Sequence, residues 1–527
     1  MAGDLSTARL ASGTRDNLLG TLAERVLGIV LFVALSFLLS PRDLGTYYEI
    51  VALVTILVIG GVMGIDMALV RFMALAAERR RFGEAQAYVR GGIRLALGTS
   101  AVLASSLWLA APELGRIFRS PGFVWPARGG AVAIPFLVLT LVLVAPARGL
   151  KLMWPTVLSV QICQPAVALA ASCGFVLAGL GLAGATAGFM VAAAASCVLA
   201  AMMLRRLRLK DGGEHPRASV WRPLVRFSLP IAGMTLTGTA LLWVDTLLLG
   251  AFRPATDVAT YGIIVRLMAI GSAVMLTVIQ IFGPFVTQLV ARGDPARLGE
   301  VLHTATRWVA LVAAPPLVFL AVSGQTVLRI FHQPPSPGHG AMLVLAAAFL
   351  IDAFTGPVGH ILTMSGRSWL NLATNAAALV CNVALNLVLI PRFGLVGAAI
   401  SWAIVIVGVN VVRVIQVRLI FGVIPFERSL ARPAIALVGA ATLTACAGFV
   451  SGPATSSVPL VHLAIVGGTF AVAYGGAVAM LGTSSDDRLF LGTLLRPGRG
   501  RTPAPTSAEV GTDHPGVTVA PVITRTS

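Results

Sequence analysis

The segment ATYGIIVRLMAIG, residues 259–271, sets one guanidinium, that of Arg266, in a run that is otherwise apolar from Val258 to Phe282. A side chain that keeps its charge at every relevant pH is costly in such surroundings and marks a functional position by default. Glu24, Arg25, Asp66, Asp245 and Asp352 also fall inside apolar runs. Asp245 and Arg266 stand at matching depths on adjacent antiparallel segments, roughly 8–10 Å from the same side at about 1.5 Å per residue. Arg25 and Asp66 match in the same way from the opposite side. Two arrangements are open. The pairs Asp245–Arg266 and Arg25–Asp66 bridge neighbouring helices, or the arginines line a hydrated cavity and receive an anionic ligand while the acids modulate them or hold a coupling Na⁺ or H⁺. Arginine suits a phosphate because its planar fork donates two parallel hydrogen bonds.

Asn371, Asn375, Asn382 and Asn386 share one helical face. Such a stripe can hydrogen-bond sugar hydroxyls through Asn375 and Asn382, or a neighbouring helix. There is no GxxxxGK[ST] phosphate loop, no HExxH and no glycine-rich dinucleotide turn after a strand, which argues against an ATPase or a metallohydrolase on this chain. Cys163, Cys173, Cys197, Cys381 and Cys446 all lie in apolar runs without a CxxC, as small packing residues do. No metal and no cofactor is implied beyond the coupling ion.

The elements that must hold these residues are set by composition. Of 527 residues, 57% are hydrophobic and 11% charged, more apolar surface than a water-soluble domain can bury. Apolar runs of about 18–25 residues, each able to cross ~30 Å of hydrocarbon, recur fourteen times between residues 18 and 482, and each must be a helix to satisfy its own backbone. The net charge of +18 is unevenly spread: thirty of the 39 Lys+Arg lie in alternate connections, the N-terminus and the tail, seven in the opposite set, and two are Arg25 and Arg266. That asymmetry puts both termini in the cytoplasm of a multi-pass plasma-membrane protein. AERRRFGEAQAYVR and RRLRLKDGGEHPR are then inner loops near anionic lipid, not nucleic-acid arms.

The chain also repeats itself. DLGTYYEIVAL (43–53) matches DVATYGIIVRL (257–267), and GLAGA (181–185) matches GLVGA (394–398) at nearly the same offset. Six helices separate the copies, so the halves are parallel, and duplications of this kind place the working site between halves. The expected architecture is an all-α polytopic membrane protein of about fourteen transmembrane helices, two parallel six-helix lobes plus an appended helix pair. The boundaries are 1–207 for the first lobe, 208–222 for a cytoplasmic linker, 223–420 for the second lobe, 421–482 for the pair, and 483–527 for a Gly/Pro/Ser/Thr-rich tail too polar to form a core. The longest outer loop, 112–128, is too short for a soluble catalytic domain, which disfavours a membrane-bound polymerase or ligase.

SPRDLGTYYEI, GIDMALVRFMA, FSLPIAGMTLTGTALLWVDTLLLG, ATYGIIVRLMAIG, IFGPFVTQLVARGD, GHILTMSGR and NVALNLVLIPRFGLVGAAIS, spread over residues 15–425, resemble the signatures of bacterial polysaccharide or O-antigen flippases. These belong to the multidrug/oligosaccharidyl-lipid/polysaccharide exporter superfamily. The resemblance implies a non-enzymatic, two-lobed carrier that moves a polyprenyl-diphosphate-linked oligosaccharide between leaflets by alternating access. Its partners would be membrane lipids and polysaccharide polymerase or export machinery. The related lipid II flippases have fourteen helices and use arginines in spans 1, 2 and 8 to grip the diphosphate, which carries over to Arg25, Arg71 and Arg266. A cation-coupled drug exporter of the same superfamily is the alternative, since Asp66, Asp245 and Asp352 suit a cationic cargo.

Overall fold

The computed structural model describes residues 2–79, 81–120, 122–207, 220–455 and 458–481, and among these every regular element is a helix. The first half comprises α1 Ala2–Leu38, α2 Pro41–Val62, α3 Ile65–Glu78, α4 Phe82–Ile117 and α5 Val124–Gly149. The short α6 Trp154–Thr156 runs through a π-helical stretch, Val157–Cys163, into α7 Gln164–Phe175, and α8 Gly181–Arg206 follows. The second half comprises α9 Trp221–Phe252, α10 Ala255–Arg292, α11 Pro295–Ile330, α12 Pro335–Thr355, α13 Val358–Met364, α14 Ser368–Phe393 and α15 Leu395–Phe421. After it come α16 Ala431–Thr455 and α17 Pro459–Leu481. Residues 208–219 of the expected linker and the expected tail 483–527 lie outside the described residues.

Local chemistry sets the breaks. Ser40 caps α2, its hydroxyl accepting from the Asp43 amide at 3.1 Å with Pro41 in the first turn, and Asp294 caps α11 ahead of Pro295 in the same way. The second span is broken in mid-course, where Met63 and Gly64 take left-handed φ of 47° and 70°. Gly64 is required there, because a Cβ would stand 2.7 Å from the Ser228 carbonyl oxygen on α9.

Twelve described segments are long and apolar enough to cross a bilayer. One of them, Trp154–Arg206, doubles back at Gly179 and Gly181, and the Ser172 hydroxyl donates to the Ala185 carbonyl at 3.0 Å across that hairpin. α10, 38 residues long, is a further helix of crossing length, which recovers the fourteen passes read from the sequence.

Helices α2, α3, α4 and α5 pack around one core, and α10, α11, α12 and α15 around another to which α1, the start of α2 and the start of α8 also contribute. α16 and α17 pair with each other and lean on α11, where the Tyr474 hydroxyl donates to the Leu311 carbonyl at 2.9 Å. The halves meet where α2 packs on α9 and α10 and α3 packs on α9. The two repeat copies face each other in this seam: the Tyr48 ring covers Gly262, its counterpart, 3.0 Å from where a Cβ would be. Gly45 meets the Ala255 carbonyl, Thr46 Oγ1 is 3.0 Å from Ser120 Oγ, and Thr260 Oγ1 donates to Gln333 Oε1 at 2.8 Å. The turns after α1, α4, α9 and α11 therefore gather at one end, the Arg253 face. The turns beside Arg79, His303 and Ile424 form the opposite end, the Arg79 face, where His303 Nε2 lies 2.9 Å from the Ile424 carbonyl oxygen.

Candidate functional site

Arg266 is held by aromatic rings. On α10 its guanidinium carbon lies 5.5 Å from the centre of the Trp243 ring on α9 and 6.0 Å from that of Phe32 on α1, cation–π geometry with the residue still partly exposed. Among the described residues no carboxylate comes within ion-pair distance of it, so the Asp245–Arg266 pair, one of the two arrangements open from the sequence, does not form. Depth matched the two residues, but rotation separates them. Trp243 and Asp245 are two positions apart on α9, about 200° around the helix, so the ring faces Arg266 and the acid faces away.

Asp245 is 3% exposed and belongs to a different cluster. Asn386 Nδ2 donates both to Asp245 and, at 2.9 Å, to Asn382 Oδ1, while the Tyr261 hydroxyl donates to Asp245 Oδ2 at 3.3 Å. Asn386 Oδ1 and Asn382 Nδ2 are buried without partners. Carboxylate, amide and phenol oxygens from α9, α10 and α14 thus converge in one buried cluster, the donor set of a hard cation. Among the described residues no group of three or more His, Cys, Asp or Glu could hold a metal. The first half has no such set: by the 214-residue offset Tyr261 corresponds to Tyr47, but Asp245 corresponds to Leu31.

The asparagine stripe divides. Asn382 faces Asp245 and is fully buried, whereas Asn375 Oδ1 accepts from Arg413 at 3.1 Å and Asn371 Nδ2 donates to the Gly359 carbonyl at 3.0 Å. Asn371, Asn375 and Asn386 thus bond neighbouring helices, and Asn382 bonds Asn386 on its own helix. Arg413 on α15 also stacks against Gly359, and Asn410 Nδ2 donates to Asp352 Oδ1 at 2.9 Å.

In the first half, Asp66 pairs with Arg148 at 3.0 Å, not with Arg25. Asp66 opens α3 just past the break in the second span, and Arg148 closes α5, so the bridge ties the half-helix to its neighbour. Arg25 is partly exposed beside the exposed Glu24 and has no ion pair among the described residues. It precedes Phe32 by seven residues, hence lies on the same side of α1, about 10 Å along. Arg71 is exposed near the Arg79 face, its guanidinium 4.5 Å from the centre of the Phe227 ring. Only 17% of the residues in the apolar stretch of α1 and 6% in that of α9 are buried, so the helices flanking Arg266 are among the least covered in the bundle.

The fold is one shared with solved membrane transporters. The chain superposes on a lipid II flippase, MurJ, in an inward closed conformation with a TM-score of 0.67 at 11% identity, over 91% of this chain and 99% of that one. It superposes on an inward-facing multidrug-resistance MATE family transporter with a TM-score of 0.63 at 16% identity, over 76% and 94%. The profile of the polysaccharide biosynthesis protein family matches residues 10–289, and the chain belongs to that family; the MatE profile matches residues 230–388. A probable low-salt glycan biosynthesis flippase, Agl15 of Haloferax volcanii, is 22% identical over 184 residues, 35% of this chain and 39% of that protein. The match thus spans well under half the length of that relative.

Proposed function

We propose that this chain is a flippase that carries a polyprenyl-diphosphate-linked oligosaccharide across the plasma membrane by alternating access of its two halves. The observation that carries this is Arg266: an intramembrane guanidinium steadied by Trp243 and Phe32, without a carboxylate to neutralise it, beside sparsely covered helices. A diphosphate supplies the missing counter-charge, and Arg25, on the same side of α1, extends the basic path. The prenyl tail stays in lipid, so only headgroup and sugars need a polar route. Arg71, Asn375 and Asn382 reach the cargo only if the halves rearrange. Both termini and the Arg79 face are cytoplasmic in this reading, and polymerase or export machinery takes the product.

Arg266→Ala should lower glycolipid translocation by about tenfold to a hundredfold, the worth of one charge-assisted hydrogen bond, with Arg266→Lys intermediate. Reconstituted protein with a fluorescent polyprenyl-diphosphate sugar measures this, and normal transport by well-expressed Arg266→Ala refutes the grip.

The Asp245–Asn382–Asn386–Tyr261 pocket is proposed as the coupling-ion site, for Na⁺ or H⁺. Asp245→Asn keeps the shape and removes the charge, so transport should lose its response to imposed Na⁺ and pH gradients. An unchanged response excludes the pocket from coupling. The same pocket is what favours the alternative, a cation-coupled exporter, and competition between a polyprenyl diphosphate and an organic cation for the reconstituted protein separates the two.

A further inference from the structure

Glu49 lies in the seam between the halves and is the only acid among the described residues with 0% exposure. Both carboxyl oxygens are buried without a hydrogen-bond partner. The side chain is pressed against α9, where a Cβ on Gly250 would stand 2.6 Å from Glu49 Oε1. The contact belongs to the row that shuts the Arg253 face: Gly45 on Ala255, Tyr48 on Gly262, Glu49 on Gly250. In the halves of the surrounding helices that lie toward the Arg253 face, the titratable and charged groups are Arg42, Asp43, Tyr47 and Tyr48 on α2, Glu113 and Arg116 on α4, Arg128 on α5, Asp245 and Arg253 at α9, and Asp257, Tyr261 and Arg266 on α10; α1 and α8 bring none there. None is within hydrogen-bond or ion-pair distance of the Glu49 carboxyl. A charged carboxylate shut off from bulk solvent with no cation in reach is costly, and a neutral acid far less so.

We propose that Glu49 is a proton-binding site that locks the Arg253 face: it carries a proton while α2 and α9 are in contact and releases it to water when the seam parts. The proton is bound by the shut form and lost by the open one, so acidification favours the shut seam and rising pH opens it. One proton linked in this way changes the shut-to-open ratio by at most about tenfold per pH unit, within the window between the two forms' affinities. The proposal rests on the alternating-access part of the functional reading and not on the cargo.

The test needs no cargo. Full-length protein in lipid nanodiscs, its five cysteines replaced by alanine, carries spin labels at Arg42→Cys and Phe252→Cys, both exposed at the ends of the seam. The distance distribution should gain a longer population as pH rises, and Glu49→Gln, which mimics the neutral acid, should stay short throughout. Glu49→Met serves the same purpose if the glutamine variant does not fold. A pH response identical in the wild-type and Glu49→Gln or Glu49→Met backgrounds, or none in the wild type, overturns the proposal. Intact gating with no glycolipid transport would instead sink the cargo assignment and leave Glu49 standing.

Discussion

At the scale of single residues, the decisive variable is which way a helix turns a charge. Asp66 and Arg148 are 20% and 22% exposed in their side chains, sheltered enough for their bond to matter. Arg148→Ala should destabilise the protein by about 1.5–3 kcal/mol, the cost of orphaning a charge-assisted bond. Asp66→Asn, which still accepts from Arg148, should cost less. Thermal unfolding in detergent measures both, and equal, negligible shifts would show that the pair contributes nothing. Arg266 was legible as functional because no other charge stands near it in sequence. Glu49, Arg148 and Arg413 were not, because each sits within about two turns of the end of its apolar run, where a long side chain ordinarily reaches water. Nothing local says that another helix covers the end.

At the scale of elements, the break at Met63–Gly64 lets α2 follow α9 and α10 while α3 follows α5 and the start of α9. Gly64→Ala meets two penalties together, a left-handed backbone that costs an L-residue about 1–2 kcal/mol and the Ser228 carbonyl oxygen in its path. A lower unfolding midpoint, with no decrease at a control such as the helical Gly28→Ala where a Cβ meets nothing within 4 Å, is the expected outcome. Equal midpoints would mean that α9 yields. In the sequence this glycine simply follows Gly60 by four residues, a small-residue spacing suited to close packing. The structure gives Gly64 that packing role and adds the break.

At the scale of the whole molecule, the fold has two ends, and the orientation proposed above gives each its side of the membrane. Cysteines placed at the exposed Arg42 and Arg79 should react oppositely with a membrane-impermeant maleimide in intact cells: Arg42→Cys labels at once, and Arg79→Cys only after permeabilisation. The reverse pattern would invert the direction of transport proposed above. The internal duplication fits this two-ended design, since the copies of the DLGTYYEIVAL motif form opposite sides of one seam. Function is not duplicated with it. Only the second half holds the Asp245 cluster and Arg266, and only the first holds Glu49.

Taken alone, the sequence determined the solvent, the helices, the number of passes and the parallel halves, because hydropathy and repeat spacing act along the chain and survive without neighbours. It also singled out Arg266 and Asp245 as costly enough to need a purpose. Which charge meets which was decided only in three dimensions. Helix rotation parts Asp245 from Arg266, and packing gives Asp66 to Arg148. The meeting of two halves closes over Glu49, a burial that belongs to neither segment until both are in place.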